Sequence, residues 1–383
     1  MGKKLLIVAN HFATIYKFRK ELVSKLVEEG YDVIISLPFS PDIEKIKDLG
    51  VRVIDTKVDR KSLNPIKDLK LLNDYKNLIK EEKPDLVLAY TIKCNIYGGM
   101  ACRLYGVPFM ANVTGLGSAY YRGGMLKNIV SSLYKIGLKN AKGVFFENTA
   151  NARVLIDDKT INDDQAIVLK GAGVNLQQFE YCEMPSDKVV KFLFIGRIMA
   201  EKGVNELFEA IKKIKKNYSN VEFSFIGWFE EDYKELIEEL QRDGFIKYYG
   251  YQEDVRPFIR DCHCVVLPSY HEGMANVLLE GAAMGRVLIT SDIYGCKEAV
   301  VEGVNGWTCK VKDSEALYEK MRDFVEMDFD EKVKMGREGR RYMEEIFDKD
   351  KVVKETVEEM EKWVNQLEFY MWLHIWVVVD LRL

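Results

Sequence analysis

The feature that most constrains the fold is an alternation of short apolar runs with amphipathic stretches, which occurs twice along the chain. Short runs that are apolar throughout are typical of strands buried on both faces, and helices between them predict a parallel sheet covered on both sides. The predicted strands of the first half are Leu5–Ala9, Val33–Leu37, Val51–Ile54, Leu86–Tyr90, Phe109–Val113 and Val144–Glu147.

Helical periodicity separates these strands. The predicted helices are Phe18–Glu29, Lys67–Glu82 and Asn95–Tyr105. Gly30 and Gly106 each follow a helix, where glycine commonly ends one. The first half is therefore predicted to be a doubly wound α/β domain.

The same pattern restarts in the second half. Its predicted strands are Phe192–Ile195, Phe223–Ile226, Cys264–Leu267 and Val287–Ile289, and its predicted helices are Val204–Lys216, Asp232–Arg242 and Asn276–Met284. A polar stretch with a proline, Glu180–Lys188, separates the halves and is interpreted as the linker. Two such domains are expected to face a cleft at the carboxyl ends of both sheets.

The predicted boundaries are residues 1–180 for the first Rossmann-like domain and 181–347 for the second. A charged helix over residues 348–365 is expected to return to the first domain. Residues 366–383 form an apolar tail with three alternative interpretations: a helix docked on the domains, a segment that lies in the membrane interface, or a changed reading frame at the C-terminus.

The cysteine content and the lengths of the apolar segments indicate the cellular compartment in which the protein is expected. Seven cysteines, an odd number without framework spacing, indicate reduced thiols. The N-terminal apolar run is too short for a signal peptide, and no stretch is long enough to cross a bilayer. A cytoplasmic protein is therefore expected.

The net charge of −4 is unevenly distributed. Residues 1–180 carry 27 Lys and Arg against 20 Asp and Glu, whereas residues 181–383 carry 29 against 40. No acidic residue occurs between Asp85 and Glu147. If residues 125–142 form a helix, four lysines lie on one arc of it. The cations of this gap are Lys93, Arg103, Arg122, Lys127, Lys135, Lys139 and Lys142. Such a face attracts phosphates or an anionic membrane, although an ordinary solvated face remains the alternative.

Two segments of the second half have the chemistry of a nucleotide site. In Gly196–Gly203, GRIMAEKG, a strand end is followed by Arg197 and Lys202, which suit a diphosphate. In Pro268–Gly281, Glu272 lies in a loop and Glu280 lies eight positions later on a helix. Gly273, Met274 and Ala275 are expected to offer backbone amides near the helix start.

These residues carry a resemblance to glycosyltransferase family 4, which has the GT-B fold. The pair Glu272 and Glu280 resembles the E-x7-E signature, GRIMAEKG resembles the phosphate-binding segment, and GCKEAVVEGVNGW resembles the downstream segment. Residues 86–120 resemble the branch that builds capsular and other lipid-linked polysaccharides, and are similar to undecaprenyl-diphosphate-linked saccharide N-acetylgalactosaminyltransferases. The motifs come in the family's order up to about Trp363.

The resemblance implies a retaining transfer from a nucleotide-sugar, with UDP as the expected nucleotide and with no metal or cofactor. Arg197 and Lys202 would neutralise the leaving diphosphate, Glu272 would hold the donor sugar, and Glu280 would hold the ribose. The other implied donor contacts are Gly196, His271, Gly273, Met274 and Ala275.

The first domain would hold the acceptor, which the resemblance identifies as an undecaprenyl-diphosphate-linked saccharide at the inner face of the plasma membrane. The candidate acceptor residues are Arg19, Lys93, Thr114, Gly115 and Gly117. Many relatives have a histidine near Asn112, and this chain has none there. For Arg19, a surface position at a helix start is the alternative interpretation.

Other classes fit the residues less well. A UDP-N-acetylhexosamine epimerase of GT-B fold would need acid and base groups that four histidines scarcely supply. A non-catalytic nucleotide-sugar-binding protein would not need Arg197, Lys202 and Glu280 together. A dehydrogenase lacks its glycine fingerprint, and nucleic acid is not an expected partner. Cys262-His263-Cys264 is interpreted as core rather than as a metal site.

Overall fold

The computed structural model describes residues 3–60, 64–117, 120, 124–186 and 188–363. The chain divides into two compact units. The first contains the residues up to Ala172 together with the segment from Asp350 onward, and the second runs from Gly173 to Lys349.

The first unit contains a seven-stranded parallel sheet of order β3-β2-β1-β4-β5-β6-β7. Its strands are β1 Lys4–Val8, β2 Asp32–Leu37, β3 Arg52–Asp55, β4 Leu86–Tyr90, β5 Phe109–Val113, β6 Gly143–Phe146 and β7 Ala166–Val168. Its helices are α1 Phe12–Tyr16, α2 Lys20–Glu28, α3 Glu44–Lys47, α4 Pro65–Glu82, α5 Ile92–Tyr105, α6 Gly124–Leu138 and α7 Thr149–Asp157. A short 3₁₀ turn covers Asp163–Gln165.

Alternation along the strands divides the core of this unit between the two faces of the sheet. Leu6 and Val8 of β1 pack on the face that carries α4, α5 and α6, whereas Leu5 and Ile7 pack on the opposite face. Residues 349–363 form a further helix, α14, whose Val352, Val357 and Met360 contribute to that opposite face. Both sides of the sheet are therefore covered by helices.

The second unit contains a six-stranded parallel sheet of order β10-β9-β8-β11-β12-β13. Its strands are β8 Val190–Ile195, β9 Val221–Ile226, β10 Lys247–Tyr248, β11 Cys264–Leu267, β12 Val287–Ser291 and β13 Gly306–Cys309. Its helices are α8 Val204–Asn217, α9 Lys234–Arg242, α10 Arg256–Asp261, α11 Asn276–Ala283, α12 Ser314–Glu326 and α13 Phe329–Ile346, with 3₁₀ turns at Ala200–Lys202 and Lys297–Ala299.

Arg286 holds the segment that contains Cys182 and Glu183 against the rest of the second unit. Its side chain is fully buried and donates to the carbonyls of Ile259 (2.8 Å) and Glu183 (3.2 Å) and to the Cys182 sulfur (2.8 Å). Residues 173–180 also belong with the second unit, because the Val174 amide donates to the Phe347 carbonyl (2.8 Å) and Arg340 Nη1 donates to the Phe179 carbonyl (2.9 Å), so this unit begins earlier than the predicted boundary.

The prediction of two α/β domains with parallel sheets is confirmed. The short strands β7, β10 and β13 were missed, and the helix predicted over Phe18–Glu29 begins at Lys20. The expectations for residues 366–383 and for Arg122 lie outside the described part of the chain.

The predicted arc of four lysines is wrong. Helix α6 ends at Leu138, so Lys139 and Lys142 follow it. The chain turns there because the Ala141 amide donates to the Leu138 carbonyl (2.9 Å) and the Lys142 amide donates to Phe109 (2.8 Å).

Candidate functional site

The ends of β8 and β9 meet closely at the carboxyl edge of the second sheet. The Gly196 amide donates to the Ile226 carbonyl (2.9 Å). A side chain at Gly227 would place its first carbon 1.8 Å from the Gly196 oxygen, and Gly227 has a φ of +149°. Only glycine fits that approach. The contact sets where Arg197, directly after Gly196, leaves the strand.

Gly203 brings the second cation to the same edge. Its φ is +70°, and an added side-chain carbon would lie 2.0 Å from the Pro268 carbonyl oxygen. The 3₁₀ turn Ala200–Lys202 is thereby held against the loop that follows β11. The Lys202 ammonium forms an ion pair with the Glu272 carboxylate, and the Ser269 hydroxyl donates to the same carboxylate oxygen (2.8 Å). The two sequence motifs meet at this ion pair.

A second set of polar contacts joins the same two segments. His271 Nε2 lies 3.2 Å from a Glu201 carboxylate oxygen, and the Tyr270 amide donates to the Glu201 carbonyl (2.9 Å). The Tyr270 hydroxyl lies 2.8 Å from both carboxylate oxygens of Glu206. Burial and this carboxylate raise the pKa of Tyr270, which keeps the phenol protonated. These contacts hold the loop of Glu272 against the turn of Lys202.

The loop before α11 is shaped by Gly295, whose added side-chain carbon would lie 2.6 Å from the Gly273 oxygen. The Ala275 amide donates to the Gly295 carbonyl (2.7 Å). The prediction that this amide is open to a ligand is therefore wrong in this structure. Met274 and Ala275 are buried. Glu280 lies on α11 and is partly exposed.

Arg197 lies next to an aromatic pair that the sequence analysis missed. Its Nη1 is 3.9 Å from a Glu230 carboxylate oxygen, to which the Trp228 indole donates (3.3 Å). Trp228 and Tyr251 are 48% and 54% exposed and form an edge-to-face pair with ring centroids 5.7 Å apart. The sequence signal for this pair is a glycine followed by an aromatic residue, which occurs after β9 as Gly227-Trp228 and after β10 as Gly250-Tyr251.

The carboxyl edge of the first sheet carries most of the predicted acceptor residues. Thr114, Gly115 and Gly117 follow β5 and are partly exposed. Lys93 opens α5, and its ammonium lies 2.6 Å from an Asp68 carboxylate oxygen, with 14% of its side chain exposed. Asp68 also accepts from the Tyr97 hydroxyl (3.0 Å). Lys93 is therefore an ion-paired cation, and its neighbour Ile92 packs against Gly117 of the predicted acceptor loop.

Arg19 is buried rather than on the surface, so the surface interpretation is wrong. Its Nη2 lies 2.9 Å from a Glu147 carboxylate oxygen, and its guanidinium lies 5.3 Å from the centroid of the Tyr90 ring. Arg19, Tyr90 and Asn112 line a cavity of about 10 Å³ in the first unit, which is room for about one water. The role of Arg19 toward an acceptor stays a prediction.

Cys262, His263 and Cys264 lie in the core of the second unit. His263 Nε2 lies 2.9 Å from the Pro185 carbonyl, and its Nδ1 accepts from the Lys191 amide (3.1 Å). Burial lowers the pKa of His263 to about 4, and burial raises the pKa of Cys262 to about 12. Within the described ranges, no cluster of three or more potential metal ligands occurs.

Two family descriptions match most of the chain. "Glycosyl transferase 4-like" matches residues 4–148, and "Glycosyl transferases group 1" matches residues 184–342. Together with the two parallel sheets, these matches define the class as transferases of GT-B fold. The chain belongs to the glycosyltransferases, in the family 4 group that its motifs predicted.

Curated relatives and solved structures agree with this assignment. The chain is 29% identical over 341 residues, covering 85% of it and 89% of the relative, to the N,N'-diacetylbacillosaminyl-diphospho-undecaprenol alpha-1,3-N-acetylgalactosaminyltransferase of Campylobacter jejuni. It is 24% identical, over 76% of this chain and 79% of the relative, to the UDP-Gal:alpha-D-GlcNAc-diphosphoundecaprenol alpha-1,3-galactosyltransferase of Escherichia coli. Its fold matches Anabaena HepE, solved in complex with UDP-glucose, with a TM-score of 0.78 at 17% identity, covering 94% and 99% of the two chains.

Across the residues that the structure describes, we find no helix with the length and apolarity needed to cross a bilayer.

Proposed function

We propose that this glycosyltransferase moves a sugar, an N-acetylhexosamine or another hexose, from a UDP-linked donor to a saccharide carried on a lipid diphosphate. The observation that carries the donor half is the meeting of Arg197, Lys202 and Glu272 at one edge of the second sheet. The relatives' names support the lipid-diphosphate acceptor and a role in capsule or other surface polysaccharide synthesis.

In the proposed donor complex, the diphosphate lies between Arg197 and Lys202. Arginine offers a planar pair of donors and lysine a compact charge, and both stabilise the negative charge that grows on a leaving phosphate. Lys202 then exchanges the Glu272 carboxylate for phosphate oxygens, which frees Glu272 to accept hydrogen bonds from sugar hydroxyls. We assign Glu280 to the ribose hydroxyls, as the resemblance to family 4 implies.

The aromatic pair is the proposed surface for the base. Ile198 donates its amide to the Trp228 carbonyl (2.9 Å), so Trp228 lies directly across from the strand extension that carries Arg197. Neighbouring strands are about 4.8 Å apart, so a ligand held by Arg197 reaches Trp228 within the length of a nucleotide. Stacking on an aromatic face tolerates any base, so the preference for uracil rests on the relatives and not on this pair.

The proposed chemistry is a retaining transfer without a metal. The bond between the anomeric carbon and the β-phosphate oxygen breaks, and the acceptor hydroxyl oxygen forms a bond to that carbon on the same face. The hydroxyl proton passes to the departing phosphate oxygen, so no protein base is required. Lys202 and Arg197 lower the barrier by binding the phosphate more tightly as its charge develops.

The proposed acceptor site is the edge of the first sheet near Lys93 and the Thr114–Gly117 loop. A lipid diphosphate places the reaction at a membrane surface, and a cytoplasmic nucleotide-sugar places it at the inner face. The protein would therefore work as a peripheral membrane enzyme.

The direct test is donor selection followed by product analysis. Thermal stabilisation by UDP, GDP, ADP and their sugars is measured on the wild type, Lys202→Ala and Glu280→Ala, with Lys212→Ala as a surface control. A ligand at a hundred times its Kd stabilises by about 2.7 kcal/mol. The expected result is a UDP-selective shift that both site variants lose and the control keeps.

The chosen UDP-sugar is then incubated with a prenyl-diphosphate-linked saccharide dispersed in detergent. NMR of the new linkage should show the anomeric configuration of the donor, and transfer should persist in EDTA. Inverted configuration, or activity restored only by a divalent cation, contradicts the mechanism. Equal transfer to a free saccharide contradicts the lipid acceptor.

A further inference from the structure

Helix α6 has apolar residues on two opposite faces. Val130, Tyr134 and Leu138 are buried against the first unit. Met125, Ile129 and Ile136 are 80%, 50% and 45% exposed. At about 100° per residue these three lie within an arc of about 40°, roughly opposite the buried set. We call Met125, Ile129 and Ile136 the apolar stripe.

The packing of α6 on α5 fixes which face is buried. A side-chain carbon at Gly99 would lie 2.2 Å from the Gly137 carbonyl oxygen, and one at Gly137 would lie 2.7 Å from the Ile96 Cα atom. The two glycines thus allow backbone contact between the helices. Rotating α6 to bury the stripe would break this contact, so the stripe is a stable feature of the folded surface.

The length of the stripe distinguishes it from scattered exposed residues. Single exposed apolar side chains are normal on protein surfaces. From Met125 to Ile136 the stripe spans about 16 Å at 1.5 Å per residue. Aligned apolar residues of this extent mark an interaction surface.

The charge around the stripe identifies the partner. Lys135 and Lys139 are exposed beside its C-terminal end. No acidic residue occurs between Asp85 and Glu147, so the segments on either side of α6 add cations alone. A helix with an apolar face and flanking lysines binds in the interface of a membrane that carries anionic lipids.

We propose that α6 docks the first unit on an anionic membrane, with the apolar stripe in the headgroup region and Lys135 and Lys139 on lipid phosphates. This inference rests on the proposed function, since it supplies the surface on which a lipid-linked acceptor is met. Helix α6 follows β5 and the Thr114–Gly117 loop in the chain, so docking brings the proposed acceptor edge toward the membrane.

The experiment measures binding to vesicles that contain no acceptor, so that it tests docking independently of the reaction. Sedimentation is compared for vesicles of phosphatidylcholine alone and with added phosphatidylglycerol. The variants are Met125→Ser/Ile129→Ser/Ile136→Ser and Lys135→Glu/Lys139→Glu. The control is Val301→Ser/Val304→Ser in the second unit, where the valines are 36% and 41% exposed.

The wild type and the control should bind the anionic vesicles and should bind the neutral vesicles only weakly. The stripe variant should partition at least about tenfold less, because each removed side chain loses its transfer from water. The charge variant should lose about tenfold or more on anionic vesicles alone. All variants should keep the UDP-induced stabilisation and the transfer to a detergent-dispersed acceptor.

Three results overturn the proposal. In the first, the wild type fails to bind anionic vesicles. In the second, the stripe variant binds as tightly as the wild type, which assigns the binding to another segment such as residues 364–383. Alternatively, the wild type is a dimer that the stripe variant dissociates, without vesicle binding. Failure of the detergent assay in the wild type rejects the proposed function instead and leaves the vesicle result standing.

Discussion

Lys202 and Glu272, 70 residues apart in sequence, form an ion pair in the second unit, and Ser269 donates to the same carboxylate. Both side chains are mostly buried, with exposed fractions of 15% and 14%. A partly buried pair of this kind stabilises the loop, yet each partner is also the group that a diphosphate and a sugar would need. In the proposed donor complex, the pair would therefore link donor binding to the geometry of the loop.

Lys202→Ala should lower kcat/KM for the UDP-sugar by about 10- to 150-fold, since a hydrogen bond from a charged donor contributes about 1.5–3 kcal/mol. Steady-state kinetics test this, with Lys212→Ala as the exposed lysine control on α8. A loss no larger than that of the control would falsify the role of Lys202 at the diphosphate.

Glu272→Gln should separate nucleotide binding from transfer. The neutral amide no longer holds Lys202, so UDP alone should bind at least as tightly as to the wild type, whereas transfer of the sugar should fall at least about tenfold. Calorimetric titration with UDP and the transfer assay measure the two effects, and the control is Glu315→Gln on α12, whose side chain is 59% exposed. Parallel losses of both would instead indicate a general disruption of the loop.

Trp228→Ala should weaken UDP binding by about 1–3 kcal/mol, the usual contribution of a base stacked on an aromatic ring. Ribose 5-phosphate, which lacks a base, should compete equally well for the wild type and the variant. Tryptophan fluorescence gives a second readout, because UDP should quench a component that Trp228→Phe lacks. Unchanged UDP affinity in Trp228→Ala places the base elsewhere.

Arg19→Met should destabilise the first unit by about 3–5 kcal/mol, because it removes the cation that lies 2.9 Å from the buried Glu147 carboxylate. The matched control is Arg153→Met, which breaks an exposed pair with Asp163 and should cost at most about 1 kcal/mol. The double variant Arg19→Met/Glu147→Leu should recover much of the loss. Urea denaturation measures all three, and equal effects of the two single variants would contradict the buried pair.

His263 should make the second unit sensitive to acid. Its folded pKa of about 4 lies below its ordinary value of 6.5, so the unfolded chain binds the proton more readily. Stability is fully present above about pH 6.5 and is lost as the pH falls toward 4, by up to about 3 kcal/mol. His263→Gln should lower the free energy of unfolding at pH 7 and should reduce its dependence on pH between about 6.5 and 4. If the variant loses stability with falling pH as steeply as the wild type does, other groups cause the acid sensitivity.

Much of the fold was predictable because buried parallel strands leave a local pattern. Leu86–Tyr90, Phe109–Val113 and Cys264–Leu267 were predicted with the observed bounds, since each is a short run that is apolar except at Asn112. The short edge strands β7 and β10 were missed, because β10 has no continuous apolar run and the apolar run of β7 is only three residues long. Helix α6 was predicted too long because its end depends on a bond to Phe109, which is distant in sequence.

The sequence by itself determined the α/β class, the two-unit organisation and the residue types of the donor site, because periodicity and motif spacing are local properties. The tertiary structure decided which groups meet: Lys202 with Glu272, Arg19 with Glu147, and Trp228 with Tyr251. It also decided that the Ala275 amide is already bonded and that the apolar stripe of α6 faces outward. Those outcomes depend on close approaches at glycines such as Gly203, Gly227 and Gly137, where two distant backbones touch. Such contacts are set by packing in three dimensions, and no spacing along the chain encodes them.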